Sequence, residues 1–270
     1  MSIPVSICNW LLDFLLNRPQ YVKLDNVLSS TKVLNTGAPQ GCVLSPLLYS
    51  LFTNDCRCND ASVKMVKFAD DTTVTGLISN CDETAYRKEI QSLINWCENN
   101  NLILNPSKTK EMIIDYRKKK EPITPIFINN ECIEIVNSFK FLGTTISSDL
   151  KWHFNTKLIL KKAHQRLYFL RQLKKFHLNK EIMVNFYRAI IESILIFSTI
   201  IWFNSLSQAE KRKLNSIVNS CSRIIGVALP SLENLYKDRL RTRCNKIIVD
   251  RLHLQIVFLN YCLLVEGIGA

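Results

Sequence analysis

The pattern of the chain changes near residue 150, and this change constrains the fold more than any other feature. Before it, short β-branched runs alternate with turn residues and a few amphipathic helices; after it, apolar residues recur at helical spacing. Residues 1–150 carry 15 Lys and Arg against 16 Asp and Glu, whereas residues 151–270 carry 20 against 7. The sequence therefore predicts an α+β region over 1–150 and an all-α, basic region over 151–270.

Composition excludes several classes of protein and favours one kind of partner. The 270 residues are 47% hydrophobic and 21% charged, with 7 Gly and 8 Pro, which excludes a disordered, collagen-like or low-complexity chain. The formal net charge is +12 and the pI is about 9.3. An excess of positive charge this large favours nucleic acid or an acidic membrane surface as the partner.

The cysteines and the apolar stretches indicate where such a chain resides. Its 10 cysteines are scattered, with no C-x-x-C pair and no histidine at zinc-finger spacing, as expected of reduced thiols. No secretory signal is visible, and the strongest apolar stretch, residues 189–203, contains Glu192 and falls short of the roughly 20 residues of a bilayer span. We expect a nuclear or cytoplasmic protein without a membrane partner.

Two adjacent acids, Asp70 and Asp71, stand between two predicted strands. The ordinary interpretation of such a pair is a solvated turn. The functional alternative is a divalent-cation site, because Mg²⁺ prefers hard oxygen ligands and works beside substrate phosphates. Since successive strand side chains point to opposite faces, one carboxylate would face the metal and the other would assist.

Three further segments carry candidate residues that mean little in isolation. The block GAPQG at residues 37–41 fits an ordinary strand-to-helix turn, or else a loop that closely approaches a base or a phosphate, because glycine permits unusual backbone angles. The run NPSKT places Lys108 directly after a turn, and FLG at residues 141–143 follows a strand-like run.

Taken in order, these segments resemble the reverse transcriptase of non-LTR (LINE-type) retrotransposons. The run GAPQGCVLSPLLYSLFTND is followed by FADD, LNPSKTK and FKFLG, and the resemblance extends from about Trp10 to at least residue 200. It implies a partial polymerase palm, an antiparallel sheet with helices, over 1–150 and a helical basic thumb or connection region over 151–270. It also implies an RNA-directed DNA polymerase, a nucleotidyltransferase that uses an RNA template, a DNA primer and deoxynucleoside triphosphates.

The resemblance gives each motif a role. FADD matches the metal-binding hairpin, so Asp70 and Asp71 would be catalytic ligands of a Mg²⁺ pair, and Lys108 would protonate the leaving pyrophosphate. The residues expected to line the incoming nucleotide and the template base are Gly37, Pro39, Gln40 and Gly41. The residues expected to form the primer grip are Phe141, Leu142 and Gly143. The thumb residues expected to contact nucleic-acid phosphates are Lys161, Lys162, Arg166, Lys174 and Lys175.

The chain departs from the family pattern upstream of Pro39. The family carries another metal aspartate in an A-F-D-like motif on an earlier strand, and neither Asp13 nor Asp25 matches that motif. We therefore expect an N-terminally truncated copy, without the fingers region and with an incomplete two-ion site. The alternatives are a reverse transcriptase fragment that is inactive alone, a non-catalytic nucleic-acid-binding remnant, and a pseudogene product.

A second resemblance is shorter. Residues from about 160 to 191 are similar to the N-terminal segment of the alkylated-DNA-repair homologue 8 family. An iron dioxygenase would need an H-x-D motif, and none of the 4 histidines is followed by aspartate at that spacing. The sequence therefore does not predict dioxygenase activity.

Overall fold

The computed structural model describes residues 4–118 and 123–250. The chain divides into two compact units, Met1–Asn105 and Pro106–Ala270, each with its own elements and its own buried residues. Across the described residues, no helix combines the length and the apolar character that crossing a membrane requires.

The first unit combines short antiparallel strand pairs with three helices. Its elements are α1 (Val5–Leu15), β1 (Arg18–Gln20), β2 (Lys23–Leu24), β3 (Val27–Leu28), β4 (Lys32–Leu34), α2 (Leu44–Phe52), β5 (Val63–Phe68), β6 (Asp71–Gly76) and α3 (Thr84–Asn99). Strand β1 pairs with β4 and β2 pairs with β3, so residues 18–34 form two nested antiparallel pairs.

Few side chains of the first unit are buried. Helices α1 and α2 bury none, and the buried hydrophobic residues of the unit are Cys56, Val63, Ile94 and Cys97. Helix α3 packs against β5 and β6, and it meets β6 at Gly76. A Cβ at this glycine would stand 2.7 Å from the ring of Tyr86, so the approach requires a residue without a side chain.

The second unit begins with short strands. They are β7 (Lys110–Glu111), β8 (Phe127–Ile128), β9 (Glu131–Cys132), β10 (Glu134–Ile135), β11 (Ser138–Phe141) and β12 (Thr144–Ser147). Strands β8 and β9 form one antiparallel hairpin, β11 and β12 form another, and β7 pairs in parallel with β10. A salt bridge of 2.7 Å between Lys110 and Glu134 joins β7 to β10.

Helices make up the rest of the second unit. They are α4 (His153–Lys175), α5 (Lys180–Phe186), a π-helical segment (Tyr187–Glu192), α6 (Ser193–Leu195), α7 (Thr199–Trp202), α8 (Gln208–Ile225) and α9 (Leu232–Val249). The apolar stretch 189–203 does not form one continuous helix, because the chain breaks at Ser198, whose φ is +53°. The ends of α8 follow the sequence closely: Ser207 and Glu210 form a capping box, and Gly226 ends the helix with a φ of +77°.

The helices share one core. It includes Leu170 of α4, Tyr187 of the π-helical segment, Trp202 of α7, Leu214 of α8 and Leu232 of α9, all of them almost fully buried. Buried residues recur along α4 and α8 at intervals of three and four, as the helical pattern predicts. Hydrophobic burial of this kind is the main favourable term in folding.

The α+β class is confirmed at the level of helices with small, mostly antiparallel sheets. Where the chain is described, every sheet has two strands, and none of these sheets has the larger number of strands expected of a palm. The compact units divide at Asn105, and hairpin β11–β12 packs on α4 within the second unit. Thr145 donates its backbone N–H to the Asn155 side chain at 3.2 Å across that contact. The palm and the thumb stay predictions.

Candidate functional site

The two adjacent acids lie at the tip of a tight hairpin. Strands β5 and β6 pair from Val63 with Gly76 to Phe68 with Asp71, which leaves Ala69 and Asp70 as the two loop residues. Ala69 has a φ of +52°, the positive value that type II′ hairpin turns require at their first loop position. Alanine adopts this conformation at a cost of about 1–2 kcal/mol, so strain is stored beside the acids. Both carboxylates are exposed.

The hairpin is tied to helix α2 through Lys67. Its ammonium group donates to the carbonyl of Thr53, at the C-terminal end of α2, and to the carbonyl of Cys56 at 2.9 Å. A cation at a helix C-terminus is favoured by the helix dipole. The opposite face of the hairpin carries Val66 and Phe68, which are 56% and 60% exposed.

The block at residues 37–41 is an open loop before α2. Gly37 and Gly41 have φ values of +69° and +80°, and a Cβ at either would meet no atom within 4 Å. The Arg18 guanidinium donates to the carbonyls of Thr36 at 2.6 Å and Gly37 at 2.9 Å, which fixes the start of the block. Pro39 is half-buried and Gln40 is exposed. The loop therefore has the room that close approach of a ligand needs.

Helix α2 brings this block and the hairpin into one neighbourhood. The Ser45 hydroxyl bonds to the Pro39 carbonyl and lies 2.8 Å from the Cys42 thiol. That contact with Ser45 lowers the pKa of the Cys42 thiol. One turn further along, burial raises the pKa of Tyr49, and the negative charge of Asp70 raises it too. The Tyr49 hydroxyl is thus within electrostatic reach of the hairpin tip.

The fit of these residues to a magnesium pair is incomplete. Asp70 and Asp71 offer the hard oxygen donors that Mg²⁺ prefers. Within 4–118 and 123–250, however, no three His, Cys, Asp or Glu side chains come together as a metal-binding group. Two adjacent carboxylates therefore supply part of a two-ion site.

Two predicted site segments belong to the second unit. Lys108 is exposed in the turn that begins at Pro106, where the N–H of Thr109 donates to the Pro106 carbonyl at 3.2 Å. Leu142 and Gly143 form the loop of hairpin β11–β12, and both have positive φ, +43° and +90°. This combination is typical of a type I′ turn.

The loop of hairpin β11–β12 has a defined neighbour. A Cβ at Gly143 would stand 3.1 Å from the Phe197 ring, so glycine allows the loop to approach the end of α6. Phe141 is half-buried at the last position of β11, paired with Thr144. The three residues predicted to form a primer grip are therefore contiguous at one hairpin tip.

The predicted phosphate-binding residues all lie on the exposed surface of α4. They do not form a single row. Lys161 and Lys175 share one side of the helix, whereas Lys162 and Arg166, one turn apart, share the adjacent side. Lys174 lies in the last turn of α4, where the helix dipole stabilises a positive charge.

Sequence reasoning missed three residues that shape the first unit, namely Arg18, Lys67 and Glu89. Glu89 is 4% exposed, and its carboxylate accepts the backbone N–H groups of Asn59 and Asp60, both at 3.0 Å. These contacts hold the loop between α2 and β5. The only sequence signal for Glu89 was its position on the apolar face of α3, one residue before Ile90.

The family model described as reverse transcriptase (RNA-dependent DNA polymerase) matches residues 1–146. A second family model, described as alkylated DNA repair protein alkB homolog 8, N-terminal, matches residues 152–193, which cover α4, α5 and the π-helical segment.

Curated relatives point the same way as the first model. The chain is 26% identical to the probable RNA-directed DNA polymerase from transposon BS of Drosophila melanogaster, over 90% of this chain and 30% of that protein. It is 26% identical to the probable RNA-directed DNA polymerase from transposon X-element of the same species, over 83% of this chain and 25% of that protein. It is 31% identical to the RNA-directed DNA polymerase from mobile element jockey, also of Drosophila melanogaster, over 51% of this chain and 16% of that protein. The chain thus spans less than a third of the length of these relatives, and no solved structure matches it.

Proposed function

The chain belongs to the reverse transcriptase (RNA-dependent DNA polymerase) family, as the reverse transcriptase domain of a LINE-type retrotransposon, and on this premise we propose that it supplies part of an RNA-directed DNA polymerase. Its partners in that role are an RNA template, a DNA primer and deoxynucleoside triphosphates. The observation that carries the proposal is the family match over residues 1–146, with FADD at the tip of a strained hairpin. The cysteines that the structure describes are free thiols, which favours the nucleus or the cytoplasm as the compartment of the protein.

The carboxylates are the chemical centre of the proposal. Members of the family use divalent metal ions, and Asp70 and Asp71 would be the oxygen ligands that this chain contributes to holding them. Their exposure at the hairpin tip supports this role. Because two carboxylates are an incomplete set, a polypeptide of these 270 residues is expected to lack polymerase activity by itself.

The remaining site residues are proposed to position the substrates. The open loop of Gly37, Pro39, Gln40 and Gly41 would line the incoming nucleotide and the template base. Lys108 would donate a proton to pyrophosphate, because an exposed ammonium group suits an anionic leaving group. The hairpin tip of Phe141, Leu142 and Gly143 would grip the primer.

Primer extension on an RNA template tests the catalytic part of the proposal. We expect no templated incorporation by the 270-residue chain with Mg²⁺, and activity once the upstream region of an active relative is joined to Met1. That activity should fall by at least about a hundredfold in Asp70→Asn, which preserves the size of the side chain. Incorporation by the 270-residue chain alone, or an Asp70→Asn fusion as active as its parent, would contradict the proposal.

A non-catalytic role in holding nucleic acid is the second candidate. It is favoured by the 20 Lys and Arg against 7 Asp and Glu over residues 151–270, and by the exposure of the basic residues of α4. The 270-residue chain should bind duplex nucleic acid with little sequence preference. The slope of log affinity against log salt should flatten by about two to three when Lys161, Lys162 and Arg166 are neutralised together. A salt titration by fluorescence anisotropy measures this, and an unchanged slope would contradict it.

A further inference from the structure

Two arginines from different helices line one open concavity in the second unit. Arg171 of α4 and Arg223 of α8 lie around a space of about 270 Å³, together with Ser220 and Ile224 of α8. The two helices pack along each other, and both arginines are exposed at the edge of that packing. Neither arginine is among the residues predicted from the sequence to bind nucleic acid.

Neither guanidinium group has a carboxylate beside it. Over residues 4–118 and 123–250, Arg171 and Arg223 make no ion pair and no side-chain hydrogen bond. Helix α9 differs, since its Lys237 pairs with Glu233 at 3.0 Å. Two like charges facing one space repel each other, and an anion between them removes that repulsion.

The positive charge of Arg171 also acts on the buried thiol of Cys221. Burial raises the pKa of the Cys221 thiol to about 12, and the positive charge of Arg171 acts in the opposite direction. Cys221 precedes Arg223 by two residues on α8, so the guanidinium of Arg171 reaches across the boundary between the helices. The Ser220 hydroxyl donates to the Ser216 carbonyl at 2.9 Å, which leaves the two guanidinium groups as the donors of this concavity.

A row of basic residues on α4 leads to the concavity. Spacings of three, four or seven residues place side chains on one side of a helix. Steps of four, three and seven residues connect the exposed Lys157, Lys161, His164 and Arg171, and the exposed Lys174 and Lys175 follow Arg171 by three and four residues. The row spans most of the length of α4, and Arg171 is the member that faces Arg223.

We propose that Arg171 and Arg223 together bind one phosphate group. When the chain binds nucleic acid, this phosphate belongs to a backbone that follows the basic row of α4. Guanidinium groups suit this ligand because their forked donors match phosphate oxygens in pairs. The source of the phosphate rests on the proposed nucleic-acid binding, whereas the phosphate chemistry rests on the two arginines alone.

The test compares two double variants of the 270-residue chain that lose the same charge. Arg171→Gln with Arg223→Gln removes the concavity's donors; Lys237→Gln with Arg241→Gln removes two exposed charges of α9, where Arg241 lies 3.8 Å from Asp238. Fluorescence anisotropy with a labelled duplex should show about a tenfold loss of affinity and a salt slope flatter by about two in the first variant. The control should lose less than about threefold.

A second experiment uses inorganic phosphate as the ligand. In NMR spectra of the wild-type chain, added phosphate should shift the two arginine Nε–H resonances that are assigned by their absence in the Arg171→Gln and Arg223→Gln single variants. If phosphate shifts them while no duplex binds, the site stands and the nucleic-acid proposal fails. If duplex binds but both double variants weaken it equally, the nucleic-acid proposal stands and the site is overturned. Circular dichroism checks that the variants keep their helices.

Discussion

The two units of the chain differ in how they are held together. The first contains FADD and the glycine block, yet only four hydrophobic residues are buried among those of this unit that the structure describes, and its loops are tied by polar contacts of Arg18, Lys67 and Glu89. The second contains the eighteen-residue helical core. The glycine block and the two adjacent acids therefore lie in the unit with less hydrophobic support, whereas Lys108 and the hairpin tip at Gly143 lie in the unit with the large core.

The largest expected effect comes from removing a core side chain of the second unit. Leu170 is fully buried, whereas Leu12 on α1 is 57% exposed. Leu170→Ala should lower the free energy of unfolding by about 2–5 kcal/mol, because it removes buried methyl groups and leaves a cavity. Leu12→Ala should change it by less than about 0.5 kcal/mol. Denaturant unfolding followed by circular dichroism measures both, and equal losses would remove the contrast between the units.

Cysteine reactivity offers a second, smaller contrast. The pKa of the Cys42 thiol is lowered, chiefly by the hydrogen bond with Ser45, while burial raises the pKa of Cys221 to about 12. A lower pKa gives more thiolate near neutral pH, and the thiolate is the reactive form. Iodoacetamide at pH 7.5 should therefore modify Cys42 at least about a hundredfold faster than Cys221.

Mass spectrometry of the native chain gives both rates. Ser45→Ala should slow modification of Cys42, because it removes the contact that chiefly lowers the pKa of this thiol, and should leave Cys221 unchanged. Comparable rates at the two cysteines would mean that the helical core opens as readily as the loop at residue 42.

Periodic segments were predictable from the sequence, and the polar links were not. The helical pattern of α4 and α8 is dictated by apolar spacing, and the hairpin β5–β6 by β-branched runs on either side of Ala69 and Asp70. The roles of Lys67 and Glu89 were hidden, because each bonds to backbone carbonyls or N–H groups that any residue would provide. The break at Ser198 was also hidden, because no Gly or Pro marks it.

The candidate site was foreseen as motifs and not as geometry. The order GAPQG, FADD, NPSKT and FLG located the loops, and the structure adds which of them share a unit. The concavity of Arg171 and Arg223 had no sequence signal, because the two residues are distant in the chain and converge only through the packing of α4 on α8.

The smallest expected effect concerns the strain at Ala69. Its φ of +52° costs alanine about 1–2 kcal/mol, whereas glycine adopts that angle freely. Glycine also gives the unfolded chain more freedom, which offsets about 0.5–1 kcal/mol of the gain. Ala69→Gly should therefore stabilise the hairpin by about 0.5–1 kcal/mol, while the matched change Ala85→Gly in α3 should destabilise its helix by up to about 1 kcal/mol.

Native-state amide exchange of β5 and β6 measures the first effect, because it reports local opening free energies. Slower exchange in Ala69→Gly would locate the strain at the hairpin tip, in the unit with the smaller core. Faster exchange would mean that the alanine conformation is supported by contacts of its methyl group, and the first unit would then be better packed than its few buried residues suggest.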